Sequence, residues 1–292
     1  DDNTLYAVWY KTTADITFNK TGETVNANGS AGTDKILTGA KFSLFTNEDC
    51  SESAGTAWEN IESDEEGVVT FEGVQNNSTY YFQETSAPSG YEISNDVYKA
   101  VVDINGNVTI TKDNEEIDTI NNDLKRITIS LLKVDKDSYD QESGEYTIKL
   151  SDAKFWLKRS STSTGTKVLY TEGSTEDGAG YYTTGSDGML SIEDLPDGYY
   201  ELKETDSPDG YVIISENIMT FTITNGIIST WSYESSDDSA WSLNDTDGYQ
   251  FTVTNTAGQP LPMTGGSGTL PYTLGGLMLV IASALMYGFR MR

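Results

Sequence analysis

The sequence has no histidine and a single cysteine, Cys50, and these two absences remove much familiar chemistry. Without histidine there is no Ser-His-Asp or Cys-His catalysis and none of the usual zinc ligand sets. A lone cysteine cannot close an internal disulfide, so stabilisation in an oxidising setting has to come from other side chains. Positive charge is also scarce. Eighteen Lys and Arg stand against 46 Asp and Glu, a net charge of -28, which repels a phosphate backbone and argues against nucleic acid as a partner. No basic start or apolar run opens the chain; Asp1 and Asp2 stand there instead, so no signal peptide is visible. What is abundant is Thr, Ser, Gly, Asp and Tyr, with apolar residues alternating between polar turns. That composition and period point to β-domains, and 292 residues suffice for two or three of them.

The end of the chain has three features in order. Leu261-Pro262-Met263-Thr264-Gly265 is followed by an uncharged stretch, and Arg290 and Arg292 stand behind it. Tyr272 to Phe289 is about as long as the minimum needed to cross a bilayer as a helix, and the arginines would hold that end in the cytoplasm. This tail resembles an LPxTG cell-wall sorting signal of Gram-positive surface proteins. The resemblance implies that a sortase cleaves between Thr264 and Gly265 and holds the Thr264 carbonyl as a thioester. It then passes the acyl group to an amine of the peptidoglycan cross-bridge or of a pilin lysine. Membrane insertion of the helix is transient, and the product sits in the cell wall at the extracellular surface. A protein with such a tail is exported, so residue 1 is expected to be a truncation point. Thr4–Trp9, within TLYAVWYK, resembles the end of an internalin-type B-repeat; a Tyr-Pro-Lys pilin motif fits less well, because Tyr10-Lys11 lacks the proline.

The chain repeats itself at a spacing of about 120 residues, a domain-scale period. EEGVVTFEGVQNNSTYYFQETSAPSGYEIS (Glu65–Ser94) is answered by SDGMLSIEDLPDGYYELKETDSPDGYVIIS (Ser186–Ser215), and TGAKFSLF (Thr38–Phe45) by SDAKFWLK (Ser151–Lys158). The expected divisions are the end of an upstream domain at 1–11, one domain at 12–123, a second at 125–257 and the sorting signal at 258–292. Because alternate strand residues share a face, parity places Lys20 with Ile16 and Phe18, and Lys133 with Ile127, Ile129 and Leu131. Glu84 follows Tyr80 and Phe82, and Glu204 follows Tyr200 and Leu202. Asn122 follows Ile120, with Asn121 as the alternative because Asp118 breaks the alternation; Asn255 follows Phe251 and Val253. A strand-end residue with its head in water explains any one of these. Three per domain in both copies favour a buried Lys-Glu-Asn cluster, since each unpaired charge would be costly.

The strand lysine, the ETSAPSGY box (Glu84–Tyr91) and the terminal asparagine together resemble the Cna B-type, or SpaA-type, domains of surface adhesins and pili. The resemblance runs from roughly Lys11 to Thr256, with Ser207 replacing the usual Ala in the second box. It implies an all-β fold of two tandem immunoglobulin-like, prealbumin-like β-sandwiches, followed here by the C-terminal transmembrane helix. It also implies an intramolecular isopeptide bond in each domain, joining Lys20 to Asn122 with Glu84 as promoter and Lys133 to Asn255 with Glu204. Desolvation would lower the lysine pKa and free the amine, and would raise that of the glutamate so that its protonated carboxyl polarises the amide. Each domain acts once, on itself, so this is maturation and not enzymatic turnover.

The expected function is a structural stalk of a sortase-anchored adhesin, with a pilus subunit as a variant. The second reading is a ligand-binding adhesin domain, its host protein or glycan partner sought along Trp231–Tyr249. Calcium at the acidic turns (Asp135, Asp137, Asp140, Glu142; and Asp237, Asp238, Asp245, Asp247) is set against solvated loops, since neither has EF-hand spacing. A Cys–Gln thioester at Cys50 lacks a nearby Gln. Paired carboxylates of a glycosidase have nothing to place them in a cleft. No cofactor and no metal is expected.

Overall fold

The computed structural model describes residues 11–174, 179–213, 218–234, 241–246 and 248–258. The expected sorting motif Leu261–Gly265, the membrane helix and the segment Thr4–Trp9 lie outside them. Among the described residues no helix is long and apolar enough to cross a membrane. The chain is all-β, in two sandwiches of like design.

In the first sandwich one sheet is built on the strand Thr13–Gly22, here the lysine strand. It pairs antiparallel with Val68–Gln75 and Lys35–Ile36, and parallel with the short asparagine strand Thr119–Asn122. The facing sheet runs in the order Ile61–Glu62, Lys41–Phe45, Ser78–Ser86, Tyr98–Val102, Val108–Lys112, Glu115–Glu116, and Ser78–Ser86 is its glutamate strand. Alternation decides which residues meet in between. Ala14, Ile16, Phe18 and Lys20 point inward from one sheet, and Phe42, Phe82 and Tyr98 meet them from the other. Phe18 stacks on Phe82 with ring centroids 4.8 Å apart and meets Phe42 edge-on at 4.9 Å.

The second sandwich repeats the plan. Its lysine strand Arg126–Asp135 lies between Met189–Pro196 and the parallel asparagine strand Tyr249–Asn255, with Trp241–Asn244 beyond. The facing sheet has the order Val168–Leu169, Lys154–Ser160, Gly198–Asp206 (the glutamate strand), Ile218–Thr224, Ile227–Glu234, and Tyr181–Thr183 also pairs with Lys154–Ser160. Both lysine strands carry a bulge at the same place, between Ala14 and Ile16 and between Ile127 and Ile129. A bulge at the same place in both copies bends and re-aims each lysine strand in the same way.

Strand Ile227–Glu234 changes the picture of the stretch expected to offer ligand-facing aromatics. Trp231 pairs opposite buried Phe221, and Tyr233 opposite buried Met219. Their rings therefore lie on the core side, Trp231 edge-on to Phe251 at 6.0 Å. Tyr233 packs against the core, while Trp231 stays 37% exposed and so also presents its ring at the surface.

Candidate functional site

In each sandwich the first and last strands are parallel neighbours, and this brings lysine and asparagine together. Lys20 sits opposite Ile120 and Lys133 opposite Val253, so the asparagine two residues further on shares the lysine's face. The glutamate arrives from the opposite sheet. It is held by pairing with the strand of the AKF repeat, Glu84 opposite Phe42 and Glu204 opposite Phe155. All six side chains are buried, none more than 3% exposed.

In the second sandwich Lys133 Nζ donates to Asn255 Oδ1 at 2.5 Å and to Glu204 Oε2 at 3.2 Å, while Asn255 Nδ2 donates to Glu204 Oε1 at 2.8 Å. The triangle is closed, and the Phe155 ring lies 5.9 Å from the ammonium. In the first sandwich Asn122 Nδ2 donates to both oxygens of Glu84, at 2.8 and 2.9 Å, and Glu84 also accepts from the Ser94 amide at 2.8 Å. Lys20 Nζ donates to the carbonyls of Thr21 and Ile120 at 2.7 and 3.0 Å, and Asn122 Oδ1 is buried without a partner. Asn121, the alternative by sequence, points to the exposed face and accepts from Thr21 Oγ1 at 3.0 Å. Asp118 breaks the alternation because the strand begins only at Thr119.

Burial pushes both lysines down from the ordinary value to about 8, against the pull of the glutamate charge. Burial likewise pushes Glu84 and Glu204 up, against their hydrogen bonds and the lysine charge. Moving a proton from lysine to carboxyl removes two buried charges at once, so both shifts favour a neutral pair. The carboxyl meets the nitrogen of the amide, not its oxygen as the sequence chemistry supposed. An ionised carboxylate can only accept, so it takes the NH2 side.

Two glycines in the repeat support the site and were not singled out by sequence reasoning. Gly67 (φ +74°) and Gly188 (φ +72°) turn the chain against the lysine strand, where a Cβ would come within 2.8 Å of Lys20 O and 2.7 Å of Lys133 O. Their carbonyls accept from the lysine amides at 2.6 and 2.8 Å. The EEGV/SDGM match in the repeat was the available signal. The box tyrosines flank the site: Tyr91 donates to Glu23 O at 3.0 Å and Tyr211 to Asp135 Oδ2 at 2.9 Å. Ser207 Oγ donates to Tyr211 O at 2.9 Å, which ties the second box's own turn.

The acidic turn after Lys133 caps its own backbone. Asp135 Oδ1 accepts from Asp137 N and Asp140 Oδ1 from Glu142 N, and among the described residues no group of three acids, Cys or His is placed to hold a metal. Of the second acidic stretch, Asp237, Asp238 and Asp247 lie outside the described residues. Burial and Asp49 raise the Cys50 pKa, the reverse of an activated thiol.

These are prealbumin-like sandwiches. A family model described as the SpaA prealbumin-like fold domain matches residues 13–116 and 127–236, and the chain belongs to that family. Both matches stop before the asparagine strands. A search of curated protein sequences finds no match. Among solved structures, the Bacillus anthracis TIE protein is 20% identical with a TM-score of 0.51, over 84% of this chain and 34% of that one. The pilus adhesin SpaC from Lactobacillus rhamnosus GG is 14% identical with a TM-score of 0.41, over 82% and 31%. GBS52, the minor pilin of Streptococcus agalactiae, is 16% identical with a TM-score of 0.30, over 87% and 100%. The chain thus spans about a third of the TIE protein and of SpaC.

Proposed function

We propose that each sandwich joins its own first and last strands through an isopeptide bond, Lys20 to Asn122 and Lys133 to Asn255, and that the chain is the stalk of a sortase-anchored surface protein. The observation that carries this is the buried Lys-Glu-Asn set, found twice between the sheets on parallel terminal strands. Chemistry follows from the contacts of the second sandwich. Glu204 takes a proton from Lys133, and the freed amine attacks Asn255 Cγ. The carboxyl relays a proton from the attacking nitrogen to Nδ2, ammonia leaves, and the C–N bond to lysine replaces the C–N bond to the amide nitrogen. No redox partner is needed.

The tail Leu261–Gly265 with its apolar stretch supports attachment at Thr264, to the cross-bridge or to a pilin lysine. A chain fixed at that end is pulled through its terminal strands, which are the strands the bonds would join. The second reading, a ligand-binding adhesin domain, keeps Trp231 in its favour, an aromatic ring 37% exposed and stacked beside Tyr233. Intact mass of residues 12–257 tests the bonds. The expected result is a deficit of two ammonia molecules, one in Glu84→Ala or Glu204→Ala, and none in the double variant. A full mass in the parent protein would refute the reading.

A further inference from the structure

The second lysine strand begins at Arg126, directly after the first asparagine strand ends at Asn122. Inter-domain contacts within a chain are usually small and polar enough to permit relative motion, and these are polar. Yet the junction itself has little freedom. Asp123 O accepts from Glu92 N at 2.9 Å, Leu124 N donates to Glu23 Oε2 at 3.0 Å, and Lys125 N donates to Gly90 O at 2.8 Å. Leu124 also forms a β-bridge with Tyr91.

The loop that follows the first lysine strand reaches onto the second sandwich. At its root Glu23 holds Arg126 through both carboxylate oxygens. At its tip Asn28 O accepts from Thr171 N at 2.9 Å and Thr171 Oγ1 at 3.3 Å. Between them Asn26 O accepts from Arg159 Nη1 at 3.1 Å, and Arg159 Nη2 donates to Asp197 O at 2.6 Å. Arg159 is 3% exposed, so a buried cation is shared between main-chain carbonyls of the two domains. Tyr170 packs against the tip of the loop, so that a Cβ on Gly29 would lie 2.6 Å from its ring. A separate contact comes from the first ETSAPSGY box. Gly90 N donates to Asn225 Oδ1 at 3.1 Å, an oxygen that also accepts from Lys125 Nζ.

We propose that this loop, residues 23–31, is a strap that holds the two sandwiches as one rigid body, with Glu23–Arg126 and Arg159–Asn26 as its fastenings. Rigidity at the junction does not require the isopeptide bonds, and would persist if they failed to form. Its use is in series with them: a stiff junction passes tension from one sandwich to the next without a hinge.

The test is a distance distribution between spin labels on the full chain in mild detergent, with exposed Thr109→Cys and Thr230→Cys in a Cys50→Ser background. One narrow peak is expected. Glu23→Ala with Arg159→Gln should at least double its width while near-UV circular dichroism, which reports each core, is unchanged. If the double variant does not fold, Glu23→Gln, which keeps an acceptor for Leu124 N but not the charge, should broaden the peak to a lesser degree. A broad distribution in the parent would overturn the rigid body, and narrow peaks in all folded variants would overturn the strap.

Discussion

A lysine ammonium and a carboxylate buried between two sheets are each destabilising alone, and together they are stable only as a pair or as a neutral set. The directions of the shifts set the pH dependence of the proposed reaction. Below the raised glutamate value both groups are protonated and no amine is free. Above about 8 the amine is free but the carboxyl has lost its proton. Bond formation, followed by mass as chemically synthesised, still uncross-linked chain folds for the first time, should therefore be fastest between these limits and fall on the alkaline side near pH 8. A rate that climbs steadily to pH 10 would mean that the carboxyl plays no acid role. Glu204→Ala leaves Lys133 as an unpaired buried charge, and should cost ~3–5 kcal/mol by denaturant titration before any effect of the lost cross-link. Glu204→Gln keeps the shape and should be milder in stability, yet equally unable to form the bond. Gly188→Ala forces a side chain into a positive φ against Lys133 O, and should lose more than about 1 kcal/mol.

At the scale of strands, the weak element is the first asparagine strand, Thr119–Asn122, short and paired to the lysine strand. A covalent tie at Asn122 would hold it in place. Hydrogen exchange should show its amides protected in the parent protein and fast in Glu84→Ala, with the Phe82 strand protected in both; equal protection in both would leave the tie without a structural role. The strands themselves were legible in the sequence, because alternation is forced wherever one face is buried. Parity placed Lys20 and Glu84 toward the core and favoured Asn122, but Asn121 stayed open until the strand was seen to begin only at Thr119. What parity cannot convey is partnership across the gap. That the glutamate comes from the opposite sheet, and that its carboxyl meets the amide nitrogen, follows from tertiary packing. The loop at residues 23–31 is polar and has no period, so its grip on Arg159 and Thr171 was invisible. Trp231–Tyr249 was singled out for ligand contact because aromatics among Asp and Ser resemble a binding loop. Trp231 and Tyr233 belong to a strand, in which Tyr233 packs on the core and Trp231 stays partly exposed.

For the molecule as a whole, the proposed bonds would turn two sandwiches into two closed loops in series. The second spans 122 residues and the first about 100, and by analogy with disulfides such loops would stabilise each domain by up to ~5 kcal/mol. The mechanical consequence is larger than the thermodynamic one. Tension entering at the first lysine strand would leave through the asparagine strand beside it without crossing either core. It would then pass through the bonded junction to the next lysine strand. Cysteine being scarce, the fold would gain from lysine and asparagine what other exposed domains gain from disulfides. Single-molecule pulling on residues 12–257 tests this most directly. The parent protein should show no unfolding step from either sandwich, whereas Glu84→Ala with Glu204→Ala should release about 350 Å and 415 Å of chain, less the folded end-to-end distance, at roughly 3.4 Å per residue. Steps of that length in the parent protein would contradict the account.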